Sequence, residues 1–377
     1  MHIAFLTSEY PPLPSGGIGT SIQNLSRELV KQGHRVTVLG WGKKTEFEDH
    51  GVRVRFLEAT RIPKMGWLIN RIFAAHELNR MVHEEGLDIV EAPDWLGLSA
   101  GMKLDCPLVI RCNGSDTYFG SLLGYKPRWS IYQAEKMSLH QAQGVVSVSS
   151  FTAEITQKLF HLKKTIGVIP NGINLSQFSF DNSIQEEKSL ILYFGTLVRK
   201  KGVLELAEIF SKVLSRNPSA RLLLVGRDSI DRQTGISTWT LFQRKLNPSS
   251  LKRIEYVGSK QPDEIASFIR LATVCVFPSF AETFGLAWIE AMACGKAVVA
   301  SNIGWAKEII EDGVSGILIH PTDHLAYADE ICDLLANPEK RRLMGQKARN
   351  RVEQLFSIQR IAELSLEWYK EMINAQN

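Results

Sequence analysis

The sequence predicts an α/β protein of two domains, each built on a doubly wound parallel sheet. Apolar, β-rich runs alternate with helical patterns along the whole chain, the rhythm of strands covered by helices on both faces. That rhythm breaks after Pro170-Asn171-Gly172 and across the polar residues 181–189, then restarts. With 377 residues, 44% of them hydrophobic, the chain can fill two cores. A domain boundary is therefore expected between residues 172 and 173.

In the first domain, residues 1–7 read as a strand with no leader-like basic and apolar regions ahead of it. A Pro-rich loop, Tyr10-Pro11-Pro12-Leu13-Pro14, and a glycine cluster, Ser15-Gly16-Gly17-Ile18-Gly19-Thr20, lead into a helix over about 21–31. Further strands are expected at 35–39, 89–90, 108–110, 144–148 and 165–169. The second domain offers strands at 190–194, 221–225, 254–257, 273–277, 297–300 and 316–319, with helices opening near Val203 and Gly285. No apolar run is long enough to span a bilayer, so a cytoplasmic protein is expected. A formal charge of +4 without a basic, aromatic-studded stripe argues against a nucleic-acid partner. The five cysteines lack CxxC spacing, which indicates neither a zinc site nor a disulfide framework.

The chemistry concentrates at strand ends of the second domain. Glu282 falls in the loop after the strand at 273–277, where open α/β sheets bind ligands, and Glu290 falls a turn or so inside the following helix. Between them the N–H groups of Thr283, Phe284, Gly285 and Leu286 lack helical partners and suit an anion such as a diphosphate. Two carboxylates flanking an anion site are placed to accept hydrogen bonds from neutral hydroxyls, a sugar on one side and a ribose on the other. The bland alternative is a solvated helix face. Arg199, Lys200 and Lys201 stand between Gly195 and Gly202 at another strand end, where cations would neutralise a departing diphosphate.

These elements resemble the retaining glycosyltransferases of family 4, whose second domain carries Glu-x7-Glu. The resemblance covers essentially the whole chain and is most specific over 190–320. It implies the GT-B architecture, two Rossmann-like domains facing across a cleft, with the terminal helix at 358–377 packing back on domain 1–172 and with 173–357 binding the nucleotide sugar. It implies that Glu282 approaches the donor sugar, that Glu290 holds the ribose diol, that Lys201 meets the phosphate, and that Gly17 and Gly19 touch the phosphate from the first domain. Thr196 stands where the family usually has Arg, which leaves Arg199 or Lys200 to supply a second cation. Asn113 stands where many members have His; Asn can orient a hydroxyl but cannot serve as a base. That suits a front-face reaction in which the leaving phosphate takes the acceptor proton. Backbone near Gly258 and Gly226 is expected to meet the base.

Asp94, Trp95 and Asp116, with Glu91, end first-domain strands and are the acceptor-side candidates. The expected partners are an NDP-sugar, UDP- or GDP-linked, and a sugar or lipid-linked glycan, in cell-surface polysaccharide synthesis. No cofactor is expected, and no Asp-x-Asp metal pair is present. Residues 61–73 mix cations with Trp67 and apolar side chains, as a helix lying on the inner face of a membrane would. Core packing with a solvated basic edge is the simpler expectation there. The alternatives to transfer are an NDP-sugar 2-epimerase, which needs no acceptor, and a catalytically weak nucleotide-sugar binder; a glycoside hydrolase would need neither the cation loop nor the anion site.

Overall fold

The computed structural model describes residues 1–13, 15–63, 65–181 and 184–375. Pro14 of the Pro-rich loop, Lys64 of the basic segment, Asn182 and Ser183 of the polar connection, and the last two residues of the expected terminal helix lie outside them. The chain divides into two compact units, residues 1–172 with the terminal helix Ile358–Asn374, and residues Ile173–Ser357.

The first unit is built on eight strands: β1 (His2–Leu6), β2 (Arg35–Gly42), β3 (Thr45–Asp49), β4 (Val52–Glu58), β5 (Ile89–Pro93), β6 (Leu108–Cys112), β7 (Gly144–Ser147) and β8 (Gly167–Val168). They lie in the order β3-β4-β2-β1-β5-β6-β7-β8, parallel throughout except for the antiparallel β3–β4 pair. Strand alternation divides the core between two faces. Ile3 and Phe5 of β1 pack with Leu25 and Leu29 of the helix Gly17–Lys31, while Ala4 and Leu6 pack with Ala74, Leu78 and Met81 of the helix Gly66–Glu85. The β3–β4 hairpin is absent from the sequence expectations. Its residues alternate charged with apolar, Arg53 and Arg55 pairing with Glu46 while Val52, Val54 and Phe56 turn inward, so no apolar run marks it.

The terminal helix is fastened to this sheet by a buried charge. Arg111 on β6 forms a two-pronged pair with Glu91 on the adjacent β5, at 2.7 and 3.1 Å. The Tyr369 hydroxyl donates to Glu91 at 2.6 Å, and Arg111 donates to Ser365 Oγ at 3.3 Å and to the Ile169 carbonyl at 3.1 Å. Glycine makes room beside this cluster: a Cβ at Gly144 would lie 2.5 Å from the Met372 sulfur, and one at Gly167 would lie 2.9 Å from the Trp368 ring. Glu91, an acceptor-side candidate in the sequence, is therefore buried as an internal partner for Arg111.

The second unit holds β9 (Leu190–Phe194), β10 (Arg221–Val225), β11 (Ile254–Tyr256), β12 (Val274–Phe277), β13 (Val298–Ser301) and β14 (Ile317–Ile319). Their order is β11-β10-β9-β12-β13-β14, and every pair is parallel. The order reverses between β9 and β12, so a crevice opens beyond the carboxyl ends of those two strands.

One expectation fails in the first unit. Ile62, Met65, Trp67, Ile72 and Phe73 are each more than half exposed, so the segment at 61–73 does not bury its apolar side chains in the core. Only the opposite face of the helix, through Asn70, Arg71, Ala74 and Leu78, turns inward.

Removing one member of a buried ion pair leaves the other charge stranded, so Arg111→Ala is expected to destabilise the first unit by about 3–5 kcal/mol. Tyr369→Phe removes one hydrogen bond while Arg111 still satisfies Glu91, and should cost about 1 kcal/mol. Urea unfolding of both variants checks the ratio.

Candidate functional site

Two loops meet at the switch point of the second unit, one after β9 and one after β12. The first runs from Gly195 through a single 3-10 turn, Arg199–Lys201, to Gly202, which precedes the helix Val203–Arg216. The second runs from Pro278 through Glu282 to Gly285, which precedes the helix Leu286–Ala293. The loops are tied together by backbone: Phe280 and Ala281 donate their N–H groups to the Lys200 carbonyl at 2.8 and 3.3 Å. Gly202, at φ +67°, lies so close to the other loop that a Cβ there would sit 1.7 Å from the Pro278 carbonyl oxygen. Only glycine meets both the left-handed conformation and that approach.

This fixture sets the charges. The Lys201 ammonium lies 3.0 Å from Glu282 Oε1, with both side chains mostly covered. It also folds back over Gly195, 3.4 Å from where a Cβ would stand. Loss of solvent pushes the Glu290 carboxyl up to about pKa 7, against the pull of Lys201, so Glu290 shares the same electrostatic neighbourhood. Burial lowers the Lys200 ammonium to about 8; Glu282 works against that shift, and Lys201 and Arg232 add to it. Tyr193, buried at the end of β9, donates to the Thr196 carbonyl at 3.1 Å and feels Glu282. Thr283, Phe284, Gly285 and Leu286 form the mouth of the short helix that carries Glu290, with Gly285 at φ +81° as its N-cap. The structure thus brings together Lys200, Lys201, Glu282 and Glu290.

Arg199 is engaged elsewhere. Its guanidinium grips Asp231 through two bonds of 2.9 and 3.0 Å, and that pairing holds the Asp231 carboxyl down at about 2. Asp231 belongs to the segment after β10, which folds over the cation loop: Leu197 N–H donates to the Arg227 carbonyl and Ser229 Oγ to the Leu197 carbonyl. Gly258, at φ +72°, accepts the Gly226 N–H at 2.8 Å and has open space over its Cα.

In the first unit the helix begins at Gly17, earlier than expected, with Gly16 as its N-cap. The Glu9 carboxylate, which the sequence reading passed over, accepts the N–H groups of Gly16 and Gly19, both at 2.8 Å. Gly19 is hemmed in, since a Cβ there would lie 2.9 Å from Ser15 Cβ and 3.1 Å from the Glu9 carbonyl oxygen. Asp94 is fully buried; one oxygen accepts the Asn113 N–H at 2.9 Å and the other is an orphan. Burial, with Glu135 nearby, pushes Asp94 up to about 8. Glu135, also unforeseen, gathers the N–H groups of Leu96, Asp116 and Thr117. Asp116 is buried and accepts the Tyr125 hydroxyl at 2.9 Å, whereas Asn113 and Trp95 keep part of their surface open. Among the described residues no cluster of three or more His, Cys, Asp or Glu is placed to hold a metal ion, and no helix is long and apolar enough to cross a membrane.

Residues 15–177 match the family described as Glycosyltransferase Family 4, and residues 176–351 match the Glycosyl transferases group 1. The chain is 33% identical to the D-inositol 3-phosphate glycosyltransferase of Paenarthrobacter aurescens over 411 residues, covering 99% of this chain and 98% of that protein. This chain is a family 4 glycosyltransferase. Among solved structures, the sucrose-phosphate synthase of Thermosynechococcus elongatus matches this glycosyltransferase with a TM-score of 0.82 at 23% identity, over 99% of both chains. Alr3699/HepE of Anabaena, solved in complex with UDP-glucose, matches with a TM-score of 0.76 at 18% identity, over 98% of this chain and 100% of that one. At these identities the likeness is one of fold, and the fold is GT-B. The chain is a transferase of sugars, built as the sequence predicts.

Two substitutions probe the geometry of this glycosyltransferase. Gly202→Ala should cost well over the ~1–2 kcal/mol of left-handed strain alone, because it also collides with Pro278. Gly313→Ala, at φ +75° with open space, should cost only the strain; urea unfolding separates the two. Asp94 titrates near 8 when folded and near 3.9 when unfolded, so between those values the unfolded chain binds fewer protons and wild-type stability falls as pH rises. Asp94→Asn lacks that loss. Its stability relative to wild type should therefore climb from pH 4 to pH 8, by at most ~1.4 kcal/mol per unit, and level off above.

Proposed function

We propose that the enzyme transfers a hexosyl unit, with retention of configuration, from a UDP- or GDP-linked sugar to a sugar or lipid-linked glycan acceptor in cell-surface polysaccharide synthesis. The observation that carries this reading is the grouping of Lys201, Glu282 and Glu290 around a helix mouth at the switch point of the second unit. In this reading the diphosphate is held at that mouth by backbone N–H groups of Thr283 to Leu286 and by the ammonium groups of Lys200 and Lys201. Glu282, beside Lys201, accepts from donor-sugar hydroxyls, and Glu290 accepts from the ribose diol. Arg199 braces the loop through Asp231, which leaves Lys200 and Lys201 as the phosphate cations. Support for the donor class comes from the fold neighbour solved with UDP-glucose.

In the proposed reaction the acceptor oxygen bonds to the anomeric carbon as the bond from that carbon to the phosphate oxygen breaks. The electron pair leaves with the nucleoside diphosphate, and the acceptor proton passes to that leaving oxygen. Lys201 gains most from this charge shift, so it stabilises the transition state more than the ground state. Asn113 and Trp95 orient the acceptor, with Gly17 and Gly258 offering backbone to the donor. The chemistry needs no metal in this reading.

Thermal unfolding with UDP, GDP, ADP and dTDP tests the donor class, since a nucleotide at a hundredfold excess over Kd stabilises by about 2.7 kcal/mol. One nucleotide should stabilise selectively, and Glu290→Ala should abolish the effect. Lys201→Ala should lower kcat by roughly 10²–10³-fold. NMR of the product should show the donor's anomeric configuration. Stabilisation by none of the four, or an inverted product, would contradict the reading, and donor conversion without any acceptor would point to the epimerase instead.

A further inference from the structure

We infer that Asp94 is a positioning residue for sugar transfer, joining the two strand-end loops that carry Trp95 and Asn113 and holding both in the register an acceptor needs. The inference rests on the proposed reaction, in which those two residues orient the acceptor. Asp94 itself has no exposed surface, so its side chain cannot touch an acceptor. Its bonds run instead to both loops. The Asp94 N–H donates to the Arg111 carbonyl at 3.0 Å, continuing the pairing of β5 with β6. Its carbonyl accepts the Gly97 N–H at 3.2 Å and so closes the turn Trp95–Gly97. Its carboxyl Oδ1 accepts the Asn113 N–H at 2.9 Å, a donor shared with the Arg111 carbonyl at 3.0 Å. Inside the turn Leu96 stands at φ +57°, a left-handed conformation that a residue with a Cβ keeps only where its neighbours hold it. Trp95 belongs to that braced turn and keeps part of its surface open.

Two buried carboxyls brace this corner, and their bonding decides which of them carries a proton. Glu135, on the helix Trp129–Gln141, accepts the N–H groups of Leu96, Asp116 and Thr117 and the Thr117 hydroxyl, donors that favour its charged form. Asp94 accepts the Asn113 N–H at one oxygen, and its Oδ2 has no partner among the described residues. Two neighbouring negative charges would repel in so buried a site, so the proton resides on Asp94 Oδ2. Burial, with Glu135 adding to it, pushes Asp94 up to about 8. The Cys112 thiol on β6 is itself pushed up by burial and stays neutral, and Thr156 of the helix Ser150–Phe160, which meets Cys112, carries no charge. Asp116, at the start of the helix Asp116–Leu123, turns its carboxylate to the Tyr125 hydroxyl. As a neutral acid Asp94 therefore holds both loops. Raising the pH through about 8 sets a second negative charge beside Glu135, and opening of the turn Trp95–Gly97 and of the Asn113 loop toward solvent relieves it.

Hydrogen–deuterium exchange of the whole enzyme from about pH 7 to about pH 9, corrected for the intrinsic pH dependence of exchange, tests the bracing in wild type, Asp94→Asn and Asp94→Ala. Asn keeps an oxygen for the Asn113 N–H and cannot take a charge. In wild type, peptides covering 95–98 and 113–117 should exchange about tenfold faster at the upper pH, because the protonated fraction of Asp94 falls by about that factor. Asp94→Asn should stay flat, Asp94→Ala should exchange fast at every pH, and β1 should be unchanged in all three. If the Ala variant does not fold, the comparison of wild type with Asp94→Asn decides. Activity gives a second readout, with UDP-glucose and GDP-mannose as donor probes at saturation and methyl glycosides as acceptors. The ratio of wild type to Asp94→Asn in kcat/KM for the acceptor should fall about tenfold over the same range. Lys200, which burial lowers to about 8, titrates alike in both proteins and cancels from that ratio. Flat wild-type exchange in the two peptides, or an Asp94→Asn variant that follows the wild-type profile in exchange or in kcat/KM, would overturn the inference. Absence of product from either donor would count against the transfer reading alone, because exchange needs no substrate and still decides whether Asp94 holds the loops.

Discussion

The candidate site of this enzyme depends on the close passage of Gly202 past Pro278. At that point the loop after β9 and the loop after β12 touch backbone to backbone, and the two N–H groups that grip the Lys200 carbonyl lock their registration. Lys201 follows immediately, and Glu282 lies four residues beyond Pro278, so the ion pair between them is a consequence of backbone geometry rather than a chance meeting of flexible side chains. A mostly covered pair of opposite charges, held next to a helix mouth, is preorganised for a ligand that carries negative charge and hydroxyl groups together.

A second constraint acts in the first unit, where charged groups are buried and several are held by networks of hydrogen bonds. Arg111 and Glu91 sit on neighbouring strands and recruit Tyr369 and Ser365 from the far end of the sequence. Such a cluster adds little net stability compared with apolar packing, but it fixes one docking geometry for the terminal helix. Glu135 plays a comparable part at the β5 end, where it gathers the backbone N–H groups of Leu96, Asp116 and Thr117, while Asp94 accepts the Asn113 N–H. Glu9 does the same for the glycine-rich turn, closing two N–H groups of the helix it precedes.

Most of the architecture was legible because parallel strands buried on both faces announce themselves as apolar runs, as β9, β10, β12 and β13 do, while the edge strand β11 carries the exposed Glu255. The β3–β4 hairpin was not legible, since its exposed face interleaves arginines and glutamates with the buried valines. The grouping of Glu282, Glu290 and Lys201 was legible because they lie at strand ends and a helix mouth, positions that a strand and helix reading locates. Long-range partners could not: nothing local in the sequence pairs Arg199 with Asp231 or Glu91 with Tyr369. Glu91 shows the cost of that blindness, a carboxylate expected at a strand end that lies in the middle of β5 and serves the core. The apolar helix at 66–85 shows the converse, because its pattern fits burial and only the packing reveals which face is left open.

Hydrogen–deuterium exchange of the whole enzyme with and without UDP, read by mass spectrometry at peptide resolution, tests the central claim most directly. If the two loops at the β9–β12 switch point hold the nucleotide, exchange should slow in peptides covering 195–203 and 281–291. Protection confined to other peptides, with these two unchanged at saturating UDP, would contradict the account.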